Sequence, residues 1–83
     1  MNKQLSQKEL GKRISDCRKA KGLTQNDLAK NIGMSRSSLA QIELGNRGID
    51  VFELQQMAMV LGFSLDQFLS SGFNVANAVT SKT

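Results

Sequence analysis

Eighty-three residues are enough for one small domain and too few for a multidomain enzyme with a large cleft. With 40% hydrophobic and 22% charged residues the composition is that of a folded soluble chain, and the absence of proline together with only four phenylalanines fits short helices better than a β-sandwich. Charge is unevenly placed: residues 1–48 hold ten Lys/Arg against four Asp/Glu, a net +6, whereas residues 49–83 hold one against three, a net −2, so the first half is a candidate electrostatic footprint for nucleic acid.

Ser6 with Glu9 is a capping box that opens a first helix at about residues 7–21. Leu10, Ile14 and Cys17 form its apolar stripe, and Lys19 and Lys21 suit the negative end before Gly22. Thr24 with Asp27 repeats the signature and starts a short second helix, Gln25 to Ile32, closed by Gly33. Ser35 caps a third helix, Arg36 to Leu44. Turned by the helical 100°, Leu39 and Ile42 point one way, while Ser37, Ala40, Gln41 and Leu44 point the other with Arg36 at the edge. That small-to-polar outer face is the most informative feature of the sequence. Gly45-Asn46-Arg47-Gly48 reads as a turn. Asp50 with Glu53 then caps a fourth helix whose inward stripe is Val51, Leu54, Met57, Ala58 and Leu61, ending at Gly62. Ser64 with Gln67 opens a fifth, with Leu65, Phe68 and Leu69 as its apolar positions. The domain is placed at residues 1–72, and 73–83 are read as a C-terminal tail, flexible or partner-contacting. Phe73, Val75 and Val79 are more apolar than a solubilising tail requires, which leaves a short strand or a partner-ordered segment open beside a frayed end.

The function classes narrow quickly. A single cysteine, Cys17, cannot form an intrachain disulfide, which points to a reducing cytoplasm, and its place on the first stripe marks it as a small core residue. Without histidine there is no metal cluster of the Cys/His kind, no cofactor site is indicated, and no apolar stretch is long enough for a membrane span. General acid–base and nucleophilic sites lack their usual members, so the chain is not expected to be an enzyme. Two short helices about a tight turn, Gln25–Ile32 and Arg36–Leu44, make a helix-turn-helix by pattern, and the expected partner is double-stranded DNA.

The residues themselves resemble a family. Lys19-Ala20-Lys21-Gly22-Leu23-Thr24-Gln25-Asn26-Asp27-Leu28-Ala29, Ile32-Gly33-Met34-Ser35 and Leu39-Ala40-Gln41-Ile42-Glu43-Leu44-Gly45-Asn46-Arg47 look like the Xre (Cro and lambdoid-phage repressor type) DNA-binding domain, and the likeness runs through Leu54, Ala58, Leu61-Gly62 and Ser64 to Leu69. It implies an all-α, compact five-helix lambda-repressor-like fold and a sequence-specific transcriptional regulator, a repressor reading a palindromic operator with the third helix in the major groove. It further implies that Arg36, Ser37 and Gln41 reach base edges, with the Ala40 methyl open to a thymine methyl, and that Gln25, Ser38, Asn46 and Arg47 hold phosphates. Arg18 and Glu43 occupy the positions of an ion pair between the first and third helices. Relatives tend to dimerise near the fourth-to-fifth helix turn, which nominates Phe63, Leu65 and Leu69 for a homodimer contact. Small domains of this kind also serve as antitoxins, so a toxin or other protein partner is the alternative. The proline that many relatives carry after the third helix is replaced by Gly48-Ile49, and a looser lead-in to the fourth helix is expected.

Overall fold

The computed structural model describes residues 5–75, and each of the five helices among these described residues starts where a side-chain oxygen takes an orphan backbone amide. Helices α1 (Gln7–Ala20), α2 (Gln25–Asn31) and α4 (Val51–Leu61) open on full capping boxes, Ser6 with Glu9, Thr24 with Asp27 and Asp50 with Glu53. Helices α3 (Arg36–Leu44) and α5 (Leu65–Leu69) open on Ser35 and Ser64. The Thr24 amide and hydroxyl hold the Asp27 carboxyl below its ordinary range. No strand occurs among the described residues.

Ile14, Cys17, Leu28, Leu39, Met57, Leu61 and Phe68 are wholly buried, with Ala29, Ile32, Ile42 and Phe63 nearly so. Every helix contributes to this one cluster, so the burial that offsets chain entropy is shared and no helix is stable alone. The closest joint is between α1 and α3. A Cβ on Gly11 would collide with the Ile42 carbonyl oxygen and lie 2.8 Å from that of Glu43, so only glycine lets the two backbones meet. At the end of α3, Gly45 has φ +84°, and a Cβ there would lie 2.6 Å from the Lys8 α-carbon, so only glycine fits where the chain turns back.

Three expectations need correction. Val51 is 67% exposed, because its place in the first turn of α4 lies beyond the edge of the core that Met57 and Leu61 reach. Phe63 turns inward and stacks on Phe68, ring centroids 4.1 Å apart, and so closes the core instead of standing out as a contact residue. The domain does not stop at Gly72: Phe73 packs edge-on against Phe68 at 5.6 Å and Val75 packs against the core. Arg13 fastens this corner, donating from Nη1 to the Phe68 and Ser70 carbonyls (2.6 and 2.8 Å) with its guanidinium 4.8 Å from the Phe73 ring centre. Val79 and residues 76–83 lie outside the described residues.

Candidate nucleic-acid interface

Leu39 and Ile42 anchor α3 in the core, so its opposite side faces solvent. Arg36, Ser37 and Gln41 are exposed there and Ser38 and Ala40 half-buried, while Leu44 adds an apolar surface 61% exposed. The Ser35 hydroxyl accepts the Ser38 amide and donates to Ser38 Oγ (both 3.0 Å), which leaves the Ser38 proton available to an acceptor in front of the helix. The face is thus rigid, shallow and nearly uncharged apart from Arg36, a shape and chemistry suited to base edges in a groove as wide as an α-helix.

Two further side chains are tied to α3 in ways the residue pattern did not reveal, one on its outer face and one behind it. Asn46 donates from Nδ2 to Gln41 Oε1 at 3.1 Å, and its backbone amide donates to the Gln41 carbonyl at 2.9 Å. Gln25, at the start of α2, donates from Nε2 to Glu43 Oε1 at 2.9 Å. Both residues were expected to hold phosphates; each keeps a second amide hydrogen for that purpose while the first secures a neighbour.

Glu43 is also gripped by Arg18, whose Nε and Nη2 meet the two carboxylate oxygens at 2.7 and 3.0 Å, with the side chains 9% and 7% exposed. The remaining Arg18 nitrogen, Nη1, donates to the Leu23 carbonyl at 2.8 Å. A single buried fork therefore joins α1, the turn after it, α2 through Gln25, and α3. Among the described residues no buried side-chain polar atom lacks a partner, which is the condition under which such a network rigidifies a fold.

Arg47 forks onto Glu53 (3.2 and 3.1 Å) and donates to the Gly48 carbonyl at 3.0 Å. The hydrogen bond to Arg47 is the main reason the Glu53 carboxyl sits below its ordinary range, and the same bond raises Arg47. The looser lead-in expected from the missing proline is not found: Glu53 takes both Arg47 and the Asp50 amide (3.1 Å), so an ion pair and a capping box fix the start of α4. Arg47 stays 40% exposed and can still turn a nitrogen to a phosphate.

On α4, Phe52 and Met59 are 76% and 82% exposed. With Gln55, Gln56, Ala58, Phe63 and Leu65 they line an open groove of about 560 Å³. Leu65 is half-buried at its edge and Leu69, 46% exposed, lies on α5. Phe52 and Met59 were not singled out from the sequence, although their i, i+7 spacing with Gln55 and Gln56 between them was the available signal. Burial, with Asp16 adding to it, pushes the Cys17 thiol up to about 11, which keeps it an unreactive core group. Among the described residues there is no group of His, Cys, Asp and Glu that could hold a metal ion, and no helix long and apolar enough to cross a membrane.

Comparison with known proteins points the same way as the geometry. The family model described as Helix-turn-helix matches residues 14–68. The chain is 46% identical over 57 residues to YazB of Bacillus subtilis, an uncharacterized HTH-type transcriptional regulator, covering 69% of this chain and 83% of that one. Its fold is similar to the restriction-modification controller protein C.AhdI from Aeromonas hydrophila (TM-score 0.67, 31% identity, 70% of this chain and 88% of that one). It is also similar to SinR, the master regulator for biofilm formation, in a complex with DNA (TM-score 0.68, 31% identity, 74% of this chain and 98% of that one).

Proposed function

Since the chain belongs to the helix-turn-helix family of DNA-binding transcriptional regulators, we propose that it is a repressor that reads a palindromic operator as a homodimer, α3 of each protomer lying in a major groove. The observation that carries this reading is the outer face of α3, where Arg36, Ser37, Ala40 and Gln41 stand together on a helix locked from behind. Arg36 suits a guanine edge, Gln41 an adenine edge, Ser37 either a donor or an acceptor, and Ala40 a thymine methyl. Gln25, Ser38, Asn46 and Arg47 flank that face and hold phosphates, which positions the duplex without reading it.

One domain offers few base-reading side chains, and a two-fold dimer with recognition helices about 34 Å apart doubles them. The surface that supports such a contact is the α4 groove, with Phe52 and Met59 as protruding groups and Leu65 and Leu69 beside it; Phe63 contributes only its floor. This face bears no charged side chain along the groove, so two copies meet without like-charge repulsion.

Selection of bound fragments from random duplex DNA tests the reading. A palindromic winner, bound by two protomers and lost on Met59→Glu in a folded variant, is the expected result. Gln41→Ala and Arg36→Ala each relax preference at one position by about 1 to 3 kcal/mol. A chain that selects no sequence over random duplex overturns sequence reading, and one protomer per full site overturns the dimer. A reporter whose expression rises on occupancy of the selected site overturns repression.

A further inference from the structure

We infer that Asn46 is a positioning residue that decides which hydrogen-bonding end Gln41 presents to a base, and so shapes operator specificity without reading a base itself; the inference rests on the reading of α3 as the base-reading helix. A glutamine amide has a donor end and an acceptor end of nearly the same shape, and its terminal torsion is soft and roughly two-fold. An exposed glutamine on its own therefore offers either end. Gln41 is not on its own: Asn46 Nδ2 donates to its Oε1 at 3.1 Å. With that oxygen taken by Asn46, the end of the exposed amide left to a ligand is the Nε2 donor, with one Oε1 lone pair beside it.

Asn46 can do this because its own place is fixed. Gly45, at φ +84°, reverses the chain after α3, and the Asn46 amide is drawn onto the Gln41 carbonyl at 2.9 Å, so residue 46 comes back alongside residue 41. The Lys8 backbone walls the turn at Gly45, and the Gln7 side chain donates to the Gly45 carbonyl at 3.4 Å. The short Asn46 side chain thus starts from a rigid backbone and has little freedom to lose in holding Gln41.

The consequence is a particular preference. A donor-first edge fits guanine (O6 and N7), thymine (O4) and adenine, whose N6 amino group also satisfies the spare Oε1 lone pair; it does not fit cytosine, which presents only its N4 amino donor. Aspartate at position 46 has acceptors only. It would take Nε2 and turn Oε1 outward, reversing the preference towards cytosine N4 and adenine N6.

The experiment is selection from random duplex DNA, followed by competition against single-base variants of the winning site, for the wild type, Asn46→Ala, Asn46→Asp, Gln41→Ala and Gln41→Ala/Asn46→Asp. Asn46→Asp shifts the preference at one position about tenfold from acceptor-bearing to donor-bearing bases, Asn46→Ala flattens that position alone, and Asn46→Asp leaves the ranking unchanged when Gln41 is alanine. The added negative charge lowers affinity for all sequences alike, which competition against site variants separates from ranking. Uniform weakening by Asn46→Ala with an unchanged ranking would make Asn46 a phosphate contact only and overturn the inference. Retention of the wild-type preference by Asn46→Asp would show the two amides to be oriented the other way and overturn it equally. A wild type that selects no sequence removes the base-reading role of α3 and this inference with it, whereas a clear site indifferent to Asn46 removes the inference alone.

Discussion

Two arginine–glutamate forks anchor α3 and its following turn to other helices, through Glu43 to α1 and through Arg47 to α4, and their surroundings give them opposite roles. Arg18–Glu43 is buried under the helix-turn-helix, with Gln25 and the Leu23 carbonyl completing its hydrogen bonds. Arg47–Glu53 ties the turn after α3 to the first turn of α4, with Arg47 40% exposed. Inside, an unpaired charge has no water to turn to, so each partner depends on the other. At the surface, water and salt replace a lost partner at little cost, so neither Arg47 nor Glu53 depends on the other. The buried fork fixes α3 against α1 and α2; the exposed one leaves Arg47 open to solvent.

The largest effect that sharpens this contrast is expected inside. Arg18→Met and Glu43→Leu each strand a buried charge and should cost about 3 to 5 kcal/mol, whereas the double variant, with neither charge, should lose clearly less than their sum. Urea denaturation of the three variants measures this, and small additive losses would make the two forks alike. Next comes Gly11→Ala, which forces a methyl group into the backbone contact behind Glu43; a loss of about 1 to 3 kcal/mol in the same assay is expected, although alanine is the better helix former.

Arg47→Ala should leave thermal stability close to the wild type but weaken binding to all duplexes alike, with the slope of log K against log salt reduced by about one. An unchanged salt slope would mean that Arg47 never leaves Glu53. The smallest expected change is in titration. The Glu53 carboxyl, depressed from 4.5 chiefly by Arg47, contributes stability that is present above pH 4.5 and lost as the pH falls through the lower folded value. Its midpoint, followed by NMR, should rise towards the ordinary value in Arg47→Ala, and acid melts should show a shallower loss below pH 4.5 in that variant.

Much of this frame is legible in the residues because the signals are local. A cap joins residues three apart, as Ser6 does with Glu9, and an inward stripe repeats at three and four, as in Leu10, Ile14 and Cys17, so helix starts and the α2–α3 turn follow from short stretches of chain. The outward face of α3 follows from the same periodicity once Leu39 and Ile42 are inside. Arg18 and Glu43 were reached only through resemblance, since no local rule pairs residues 25 positions apart. Gly11 carried a signal that went unused: a glycine inside a helix costs about 1 kcal/mol against alanine, and its presence mid-helix marks a close approach.

The sequence by itself determined the order of α1 to α5 among the described residues, their caps, the helix-turn-helix and the basic character of its half, because each depends on the nearest few residues or on composition. Tertiary structure alone decided that Phe63 goes in while Phe52 and Met59 stay out, that Phe73 belongs to the domain through Phe68 and Arg13, and that Asn46 holds Gln41. Those outcomes turn on which apolar face finds another to cover it and on where a rigid turn delivers a side chain. Packing of this kind is a property of the whole core, to which any one stretch contributes only a part.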